Sequence, residues 1–521
     1  MLLIKDIAII GGGIGGCLAA LTAAKLGKKV ILTEETDWIG GQLTSQAVPP
    51  DEHPWIEAFG CTKTYRKFRQ DVRSYYKKHY PLRAKAYHHD YLNPGNAWVS
   101  RISHEPKVAL NIIYDYLQPY MATGYIEILL NHKIKKAEMN ADTIQKVFVT
   151  DLKTGDELCI CANFFLDATE LGDVLPMSGA EYVIGAESKH DTHEPQALEK
   201  AEPDDIQSFT HVFALDFIDG GDFTIKKPDM YEEWRSYQPS FLKHRQLSPY
   251  IPDIQTGIPR QMPIFSEPDQ PGLWEYRRII DASQFSKGFF EGDISLINWP
   301  QNDYWSGSII DVNERTREKH LQEAKQLSLS LLYWLQTEAP RLSGKRGYPE
   351  FRLRPDIVGT KDGFAKYPYI RESRRIKACH TIVEGDINAQ IREDKGIKTV
   401  VDSVGIGAYR IDIHPTTKYN RIIYAESYPF EIPLGSFIPV KIKNLIPACK
   451  NIGTTQLTNG CLRVHHVEWN VGETAGALAS YTIDKKATLK SIYNNPYHVK
   501  SFQKLLMKHG IPLHWPKIGT L

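Results

Sequence analysis

The sequence has little net charge, no long apolar run and few cysteines. Its 521 residues carry 63 basic and 62 acidic side chains, a formal net charge of +1. This balance offers no broad electrostatic attraction to nucleic acid or anionic lipid, so no nucleic-acid partner is expected. The best candidate for a membrane span, Leu327 to Leu335, is too short for a bilayer and suits a buried helix. No membrane insertion is therefore expected.

The seven cysteines are an odd number without regular spacing. They exclude a disulfide framework and favour a reducing compartment. There is no C-x-x-C motif, so a dithiol relay is not expected. Cys159 and Cys161 form C-x-C on a predicted strand, but no second ligand pair has zinc spacing, and no metal site is predicted. Because no secretory signal is recognised either, the expected location is the cytoplasm.

What the sequence does contain is a dinucleotide-binding motif at its start. Gly11, Gly13 and Gly16 fill G-x-G-x-x-G between a predicted strand, residues 6–10, and a predicted helix, residues 17–26. The first glycine permits a tight turn, the second lets a pyrophosphate approach, and the third lets helix and strand pack closely. The helix N-terminus then faces the phosphates. The predicted contacts here are Gly11, Gly13, Ile14, Gly15 and Gly16.

An acidic pair follows at the spacing that ribose recognition requires. The second predicted strand ends at Glu34, eighteen residues after Gly16, and Glu35 is next to it. An acidic side chain at this position accepts hydrogen bonds from ribose hydroxyls. The glycine turn alone is compatible with a simple turn, but the strand, the helix and the acid together predict a bound dinucleotide.

A second glycine pair indicates which dinucleotide is bound. Gly40 and Gly41, followed by Gln42, allow another close backbone approach to a ligand. This arrangement resembles the FAD enzymes of the glutathione-reductase-like superfamily, which have two dinucleotide-binding domains. The resemblance implies that Glu34 binds the AMP ribose, that the glycine pair lies along the pyrophosphate and ribityl chain, and that Gln42 reaches the flavin ring.

The middle of the chain predicts two helices, residues 62–80 and 106–120, and then a series of strands. The strand series resembles the β-meander of the same superfamily, which implies that Ala168 and Thr169 contact FAD. Glu170 stands where those enzymes have the glycine of Ala-Thr-Gly. The predicted strands are residues 125–130, 133–138, 144–151, 157–161 and 164–169.

The predicted fold class is α/β, with a Rossmann-like FAD-binding domain, a β-meander and an inserted α+β substrate or cap domain. Residues 190–345 are rich in proline, tryptophan and tyrosine, as expected for a cap. In them, residues 297–305 either pack or contact substrate. The predicted division is 1–185 for the first part of the FAD-binding domain, 186–400 for the substrate or cap region, 401–485 for the second part of the FAD-binding domain, and 486–521 for a C-terminal extension.

Five polar residues, 371–375, lie between apolar ones. By pattern alone they form an exposed face with paired charges. The segment also resembles the Arg-Glu-Ser-Arg-Arg element of a broad family of FAD-dependent oxidoreductases, and matches continue through residues 402–407 and 409–414. In that case Arg371 and Arg374 could bind a substrate carboxylate, and Tyr409 or His414 could line the same pocket.

The C-terminal block, residues 444–479, completes the predicted site. The superfamily has Gly-Asp where this chain has Lys450-Asn451, so Asn451 is the predicted ribityl contact. The resemblance implies that the flavin edge meets the backbone of Leu462, Arg463 and Val464, where the positive end of the next helix stabilises reduced flavin.

His465 and His466 begin that helix. Either imidazole could remove a substrate proton while a hydride passes to flavin N5. The helix N-terminus is expected to lower the pKa of either histidine, which favours the neutral base. The alternative is that one histidine caps the helix and the other packs in the core.

No second G-x-G-x-x-G lies between a strand and a helix, so a dedicated NAD(P)H domain is not expected. The electron acceptor is then oxygen, a quinone or a partner protein. The predicted function is an FAD-dependent oxidoreductase of the dehydrogenase type, transferring a hydride between a small polar metabolite and flavin N5. A flavin monooxygenase, an FAD-dependent RNA-modifying protein and a non-catalytic scaffold are the alternatives. The pattern predicts neither the substrate nor the oligomeric state.

Overall fold

A seven-stranded mixed sheet organises the N-terminal part of the computed structural model, which describes residues 2–253 and 258–521. The strands are β1 Leu2–Ile10, β2 Val30–Glu34, β3 Ile126–Leu130, β4 His132–Asn140, β5 Thr143–Asp151, β6 Glu157–Asp167, β7 Tyr182–Val183, β8 Phe209–Thr210, β9 Phe213–Phe217, β10 Tyr250–Pro252, β11 Pro259–Gln261, β12 Arg278–Ile280, β13 Ile294–Ile297, β14 Asp303–Tyr304, β15 Phe351–Leu353, β16 Arg375–Ile376, β17 Ser403–Gly407, β18 Ile411–Ile413, β19 Ile423–Ala425, β20 Phe430–Pro433 and β21 Leu445–Pro447.

The helices are α1 Ile14–Lys25, α2 Lys63–His79, α3 Ala84–Tyr87, α4 Pro106–Ala122, α5 Val174–Ser178, α6 Lys189–Thr192, α7 Tyr231–Ser236, α8 Glu314–Thr337, α9 Pro355–Val358, α10 Ala389–Arg392, α11 Gln456–Leu462, α12 His465–Lys485, α13 Leu489–Tyr493 and α14 Pro496–Lys508. Helices α2 and α4 confirm the two helices predicted before the strand series. In the described ranges, no helix is long and apolar enough to cross a bilayer.

The large sheet has the order β3-β2-β1-β6-β5-β4, and β21 also pairs with β6. Strands β1, β2, β3, β6 and β21 run parallel, whereas β4, β5 and the first half of β6 form the antiparallel meander. The chain is thus α/β with a Rossmann-like parallel core. The carboxyl ends of β1, β2, β6 and β21 meet at one edge, where open α/β sheets bind ligands.

One strand prediction is wrong. The two strands predicted at 157–161 and 164–169 are the single strand β6, which continues without a turn from Glu157 to Asp167. Residues 157–161 of β6 pair with β5 and residues 159–167 pair with β1, so the residues that look like a break in the sequence pattern are held in register by β1.

Helix α12 packs on α1 at very short distance because small residues face each other. A Cβ added at Gly472 would lie 2.3 Å from the carbonyl oxygen of Gly15, and one at Gly476 would lie 2.3 Å from that of Ala19. Every residue of α12 from His465 to Thr482 is buried. The C-terminal block is thereby pressed against the glycine turn that precedes α1.

A second apolar core lies between Leu171 and Ile370 in the sequence. It packs α8 against a four-stranded antiparallel sheet of order β12-β13-β9-β15. Leu327, Leu331 and Leu335 of α8 are fully buried there, which confirms the predicted buried helix. Strand β14 at the border of this core carries Asp303, which lies at the site described next.

Candidate active site

The glycines after β1 lie against two other strand ends. Gly11 has a φ of +101°, and a Cβ there would lie 2.2 Å from the carbonyl oxygen of Ala168. A Cβ at Gly15 would lie 1.7 Å from the carbonyl oxygen of Ala448, and one at Gly16 2.0 Å from that of Gly11. The close approach of the three backbones therefore requires glycine. Ile14, between them, is buried at the start of α1.

Glu34 at the end of β2 is turned toward the glycine turn. Its Oε2 accepts a hydrogen bond from the Gly12 amide at 2.9 Å, and its Oε1 accepts one from the Thr36 amide at 2.9 Å. Burial raises its pKa to about 7. Glu35 forms an ion pair with Lys133 at 3.3 Å. The predicted ribose acid therefore lies at the mouth of the predicted phosphate loop.

The second glycine pair packs directly on the first turn. Gly40 has a φ of +103° and its amide donates to the Gly12 carbonyl at 2.7 Å. Gln42 Nε2 donates to the Glu468 carboxylate at 2.5 Å and to the Arg463 carbonyl at 3.0 Å. A narrow cleft at this edge is lined by the predicted contacts Gly11, Gly13, Glu34, Glu35, Gly41, Ala168 and Thr169, and by Ile10, Thr33, Ser45, His132, Ile134, Glu170 and Tyr367.

A buried charge cluster closes the same edge. The Lys450 ammonium is fully buried, contacts the Glu170 carboxylate, and lies 3.9 Å from Glu468 Oε2. Burial alone lowers the pKa of Lys450, but the neighbouring Cys449, Glu170 and Glu468 reverse this and hold it well above its ordinary value. Glu170, Cys449 and Glu468 each have one potential metal-ligating atom, and these three atoms lie within 4.8 Å of one another. The positive charge beside them is the Lys450 ammonium.

The other C-terminal contacts predicted for FAD surround this cluster. Asn451 Nδ2 donates to the Asp167 carbonyl at 3.0 Å, and its Oδ1 accepts from the Cys449 amide at 3.2 Å, so its amide is engaged in the local turn. Leu462, Arg463 and Val464 form the buried turn between α11 and α12. This turn contacts the second glycine pair through Gln42.

His465 and His466 are the first two residues of α12, and both are buried. His465 Nδ1 accepts from the Asp51 amide at 3.1 Å, and its Nε2 donates to the Val48 carbonyl at 3.1 Å, so both ring nitrogens are engaged. Burial lowers the pKa of His465 to about 4 and that of His466 to about 3. These lowered pKa values favour the neutral imidazole, and their main cause is burial.

Residues 371–375 are buried, so the exposed charged face that their pattern alone predicts is wrong. Arg371 forms an ion pair with Asp303 at 2.8 Å. Arg374 forms ion pairs with Asp173 at 2.9 Å and Asp311 at 2.8 Å. Each arginine is thus held by acidic partners of its own, and neither is among the lining residues of the cavity described next.

A cavity of about 480 Å³ brings together Tyr409, His414 and residues of the 297–305 segment. His414 Nδ1 lies 2.7 Å from Asp303 Oδ2, and its Nε2 lies 3.5 Å from Asp412 Oδ2. Burial alone raises the pKa of both carboxyl groups, but Arg371 and His414 lower that of Asp303, and His414 and Arg463 lower that of Asp412, below their ordinary values. Burial raises the pKa of the Tyr409 hydroxyl well above its ordinary value.

Contacts connect this cavity to the glycine pair. Arg463 Nη2 lies 3.3 Å from Asp412 Oδ2, and the Arg463 carbonyl accepts from Gln42. Asp303 and Asp412 were not predicted as site residues, although both lie in segments singled out for other reasons. Glu170 and Lys450 are residues of opposite charge at the two positions where the resemblance implies glycine, and this complementarity is the sequence signal that could have paired them.

The residues at the strand edge fit FAD. Glycines at the three closest backbone approaches keep side chains away from the start of α1, where a pyrophosphate would take the place of the Glu468 carboxylate, which accepts from the Gly15 amide at 3.3 Å. Three buried polar atoms along the edge, Gln42 Oε1, Glu170 Oε1 and Asn459 Oδ1, have no hydrogen-bond partner in the described part of the chain. Buried polar atoms without a partner are costly, so a polar ligand at this edge would relieve them.

Comparison with known proteins agrees with this donor set. The model of the family described as FAD dependent oxidoreductase matches residues 6–506. No curated protein sequence matches the chain.

Among solved structures, p-nitrophenol 4-monooxygenase from Pseudomonas putida is 12% identical, with 98% of this chain and 88% of that chain covered and a TM-score of 0.37. A geranylgeranyl bacteriochlorophyll reductase-like protein from Thermoplasma acidophilum is 11% identical, with 98% and 85% covered and a TM-score of 0.33. L-proline dehydrogenase from P. horikoshii is 14% identical, with a TM-score of 0.18; the match covers 36% of this chain and spans 24% of that protein. Because these TM-scores lie below 0.5, none of the three likenesses bears on the reaction.

Proposed function

Because the chain belongs to the FAD dependent oxidoreductase family, we propose that it transfers a hydride between a small polar metabolite and flavin N5, with proton transfer at His414. Bound FAD supplies the two-electron acceptor or donor, and the side chains of the protein bind the metabolite and move the proton. The observation that supports the proposal is the series of contacts from Gln42 through Arg463 and Asp412 to His414. It joins the predicted flavin contacts to the large cavity.

Asp303 is suited to orient His414 as a base. A proton on His414 Nδ1 is held by Asp303, which itself accepts from Thr210 Oγ1 at 2.6 Å and pairs with Arg371. The other nitrogen, Nε2, is then the basic one. When Nε2 takes up a proton, the positive ring lies between the carboxylates of Asp303 and Asp412, which stabilise it.

His414 is a better candidate than the histidine pair of α12. Both ring nitrogens of His465 are engaged, and the His466 ring is enclosed, with its centroid 5.1 Å from that of His53. A catalytic role for either stays a prediction. We further propose membership of the glutathione-reductase-like superfamily, supported by the parallel core and meander, together with a small-molecule substrate and reoxidation by oxygen, a quinone or a protein.

The test is anaerobic bleaching of the flavin band by fractionated metabolites, followed by NADH and NADPH. His414→Asn and Asp303→Asn are compared with His190→Asn, whose ring is exposed on α6. We expect all three variants to purify with the wild-type flavin spectrum, and His414→Asn to reduce the flavin about 10²–10⁴ times more slowly. A wild-type rate in His414→Asn contradicts the role of His414. Bleaching by a nicotinamide alone favours a reductase or monooxygenase instead.

A further inference from the structure

The cavity next to His414 is lined by six aromatic side chains, two of which are exposed. Trp98 and Tyr250 are 47% and 38% exposed, and the Trp98 ring centroid lies 4.7 Å from that of Tyr276. Apolar rings that border an open cavity provide flat surfaces on which a ligand can stack. The aromatic lining residues are Trp98, Tyr250, Tyr276, Trp305, Tyr409 and Tyr424.

Residues with hydrogen-bond donors and acceptors line the same cavity. Gln246 Nε2 donates to the Asp303 carbonyl at 2.8 Å, and Gln301 Nε2 donates to the Ser248 carbonyl at 3.2 Å. The amide oxygens of both glutamines have no partner among the described residues, and neither has the Trp305 indole N–H. All three atoms are buried within the cavity wall, which therefore contains two acceptors without a donor and one donor without an acceptor among the described residues.

This combination selects a chemical class of ligand. A planar aromatic ligand would stack on the rings but would leave the amide oxygens of Gln246 and Gln301 without partners. An aliphatic acid would pair with charged groups but would leave the rings exposed. A sugar has apolar C–H faces that stack on aromatic rings, and each of its hydroxyls both donates and accepts hydrogen bonds.

We propose that this cavity binds a saccharide, with a ring carbinol facing His414. This inference rests on the proposed hydride transfer for its chemistry, although the binding itself does not. Oxidation of CH–OH to C=O breaks the C–H and O–H bonds. FAD, when bound, would accept the hydride with its two electrons, and His414 Nε2 would take up the hydroxyl proton. Asp412 Oδ2 lies 3.5 Å from His414 Nε2, so its carboxylate can accept a hydrogen bond from the next hydroxyl group of the sugar ring.

The experiment uses the FAD-containing protein under anaerobic conditions. D-glucose, D-galactose, cellobiose, maltose and D-glucuronate are each titrated calorimetrically, with L-lactate and L-proline as ligands that are not saccharides. The flavin band is recorded in the same samples. Trp98→Ala and Tyr250→Ala test the rings; Tyr497→Ala is the matched control, because Tyr497 is 74% exposed and lies outside the cavity.

We expect at least one saccharide to bind and to bleach the flavin, and its Kd to rise about two- to tenfold in Trp98→Ala and Tyr250→Ala but not in Tyr497→Ala. A saccharide that binds in this ring-dependent way without bleaching supports the binding site and contradicts the hydride proposal. Bleaching by L-lactate or L-proline while no saccharide binds overturns the saccharide inference and leaves the hydride proposal standing. If no saccharide binds, or if binding is equal in all three variants, the inference is overturned.

Discussion

Replacement of Lys450 by methionine tests the buried charge cluster beside the cofactor edge. Methionine keeps most of the side-chain volume but removes the ammonium that contacts Glu170 and lies 3.9 Å from Glu468. The Glu468 side chain is fully buried and that of Glu170 is 13% exposed. The variant therefore leaves two carboxylates close together with little water to screen them.

The expected loss can be worked from this geometry. Removing one partner of a buried ion pair typically costs about 3–5 kcal/mol of unfolding free energy, because the remaining charge is uncompensated. Burial already raises the pKa of Glu468, and loss of the lysine raises it further. A carboxyl group whose folded pKa is raised contributes stability that is present below its unfolded pKa and is lost as the pH rises. The destabilisation by Lys450→Met should therefore be larger at pH 8 than at pH 5.

Urea unfolding, followed by tryptophan fluorescence and flavin release, measures the effect. Glu170→Gln combined with Lys450→Met should recover part of the loss, since one of the two carboxylates is then neutral. Lys67→Met is the control, because Lys67 pairs with Asp71 on the surface of α2, where such pairs contribute about 0.3–0.5 kcal/mol. A loss below about 1 kcal/mol at every pH, with no recovery in the double variant, would refute the reasoning.

Three further changes follow from the same structure. Gly15→Ala places a Cβ 1.7 Å from the Ala448 carbonyl oxygen, so the purified protein should contain less FAD and have a lower Tm. The control Gly385→Ala, whose added Cβ has no atom within 4 Å, should match wild type in flavin absorbance and Tm. Burial raises the pKa of Glu473 from 4.5 to about 7. As the pH rises from 5 to 8, wild type should therefore lose about 2.5 kcal/mol of unfolding free energy relative to Glu473→Gln, measured by urea unfolding. A constant difference argues against a titrating Glu473. Arg374→Met removes two ion pairs away from the cavity, so it should lower Tm without slowing flavin reduction, and a slowed reduction would support the predicted substrate contact.

The cofactor edge was predictable because it is local in sequence. A turn that needs positive φ or a close backbone approach accepts little but glycine, and the ribose acid follows at the length of one helix and one strand. The positions of Gly11, Gly15 and Glu34 at this edge therefore follow from their spacing, and their contacts with FAD stay predictions. Helices α2 and α4 were predictable for the same reason, because the start and the apolar face of each helix depend on residues close together in the sequence.

The residues that surround a substrate could not be assigned in this way. His414 is 111 residues from Asp303, and Lys450 is 280 residues from Glu170. A charged residue in the sequence looks the same whether it faces water or a buried partner. The five residues from 371 to 375, which have the pattern of an exposed face, are therefore buried by contacts that no local pattern contains.

The sequence by itself determined the α/β class, the glycine turn after β1 and the family, because these depend on short-range periodicity and on glycines without an alternative. Only the tertiary structure decided which charges neutralise each other and which histidine faces an open cavity. Ion pairing and burial depend on distances between segments that are remote along the chain, and those distances exist only after β6, β21 and α12 have packed around the glycine turn.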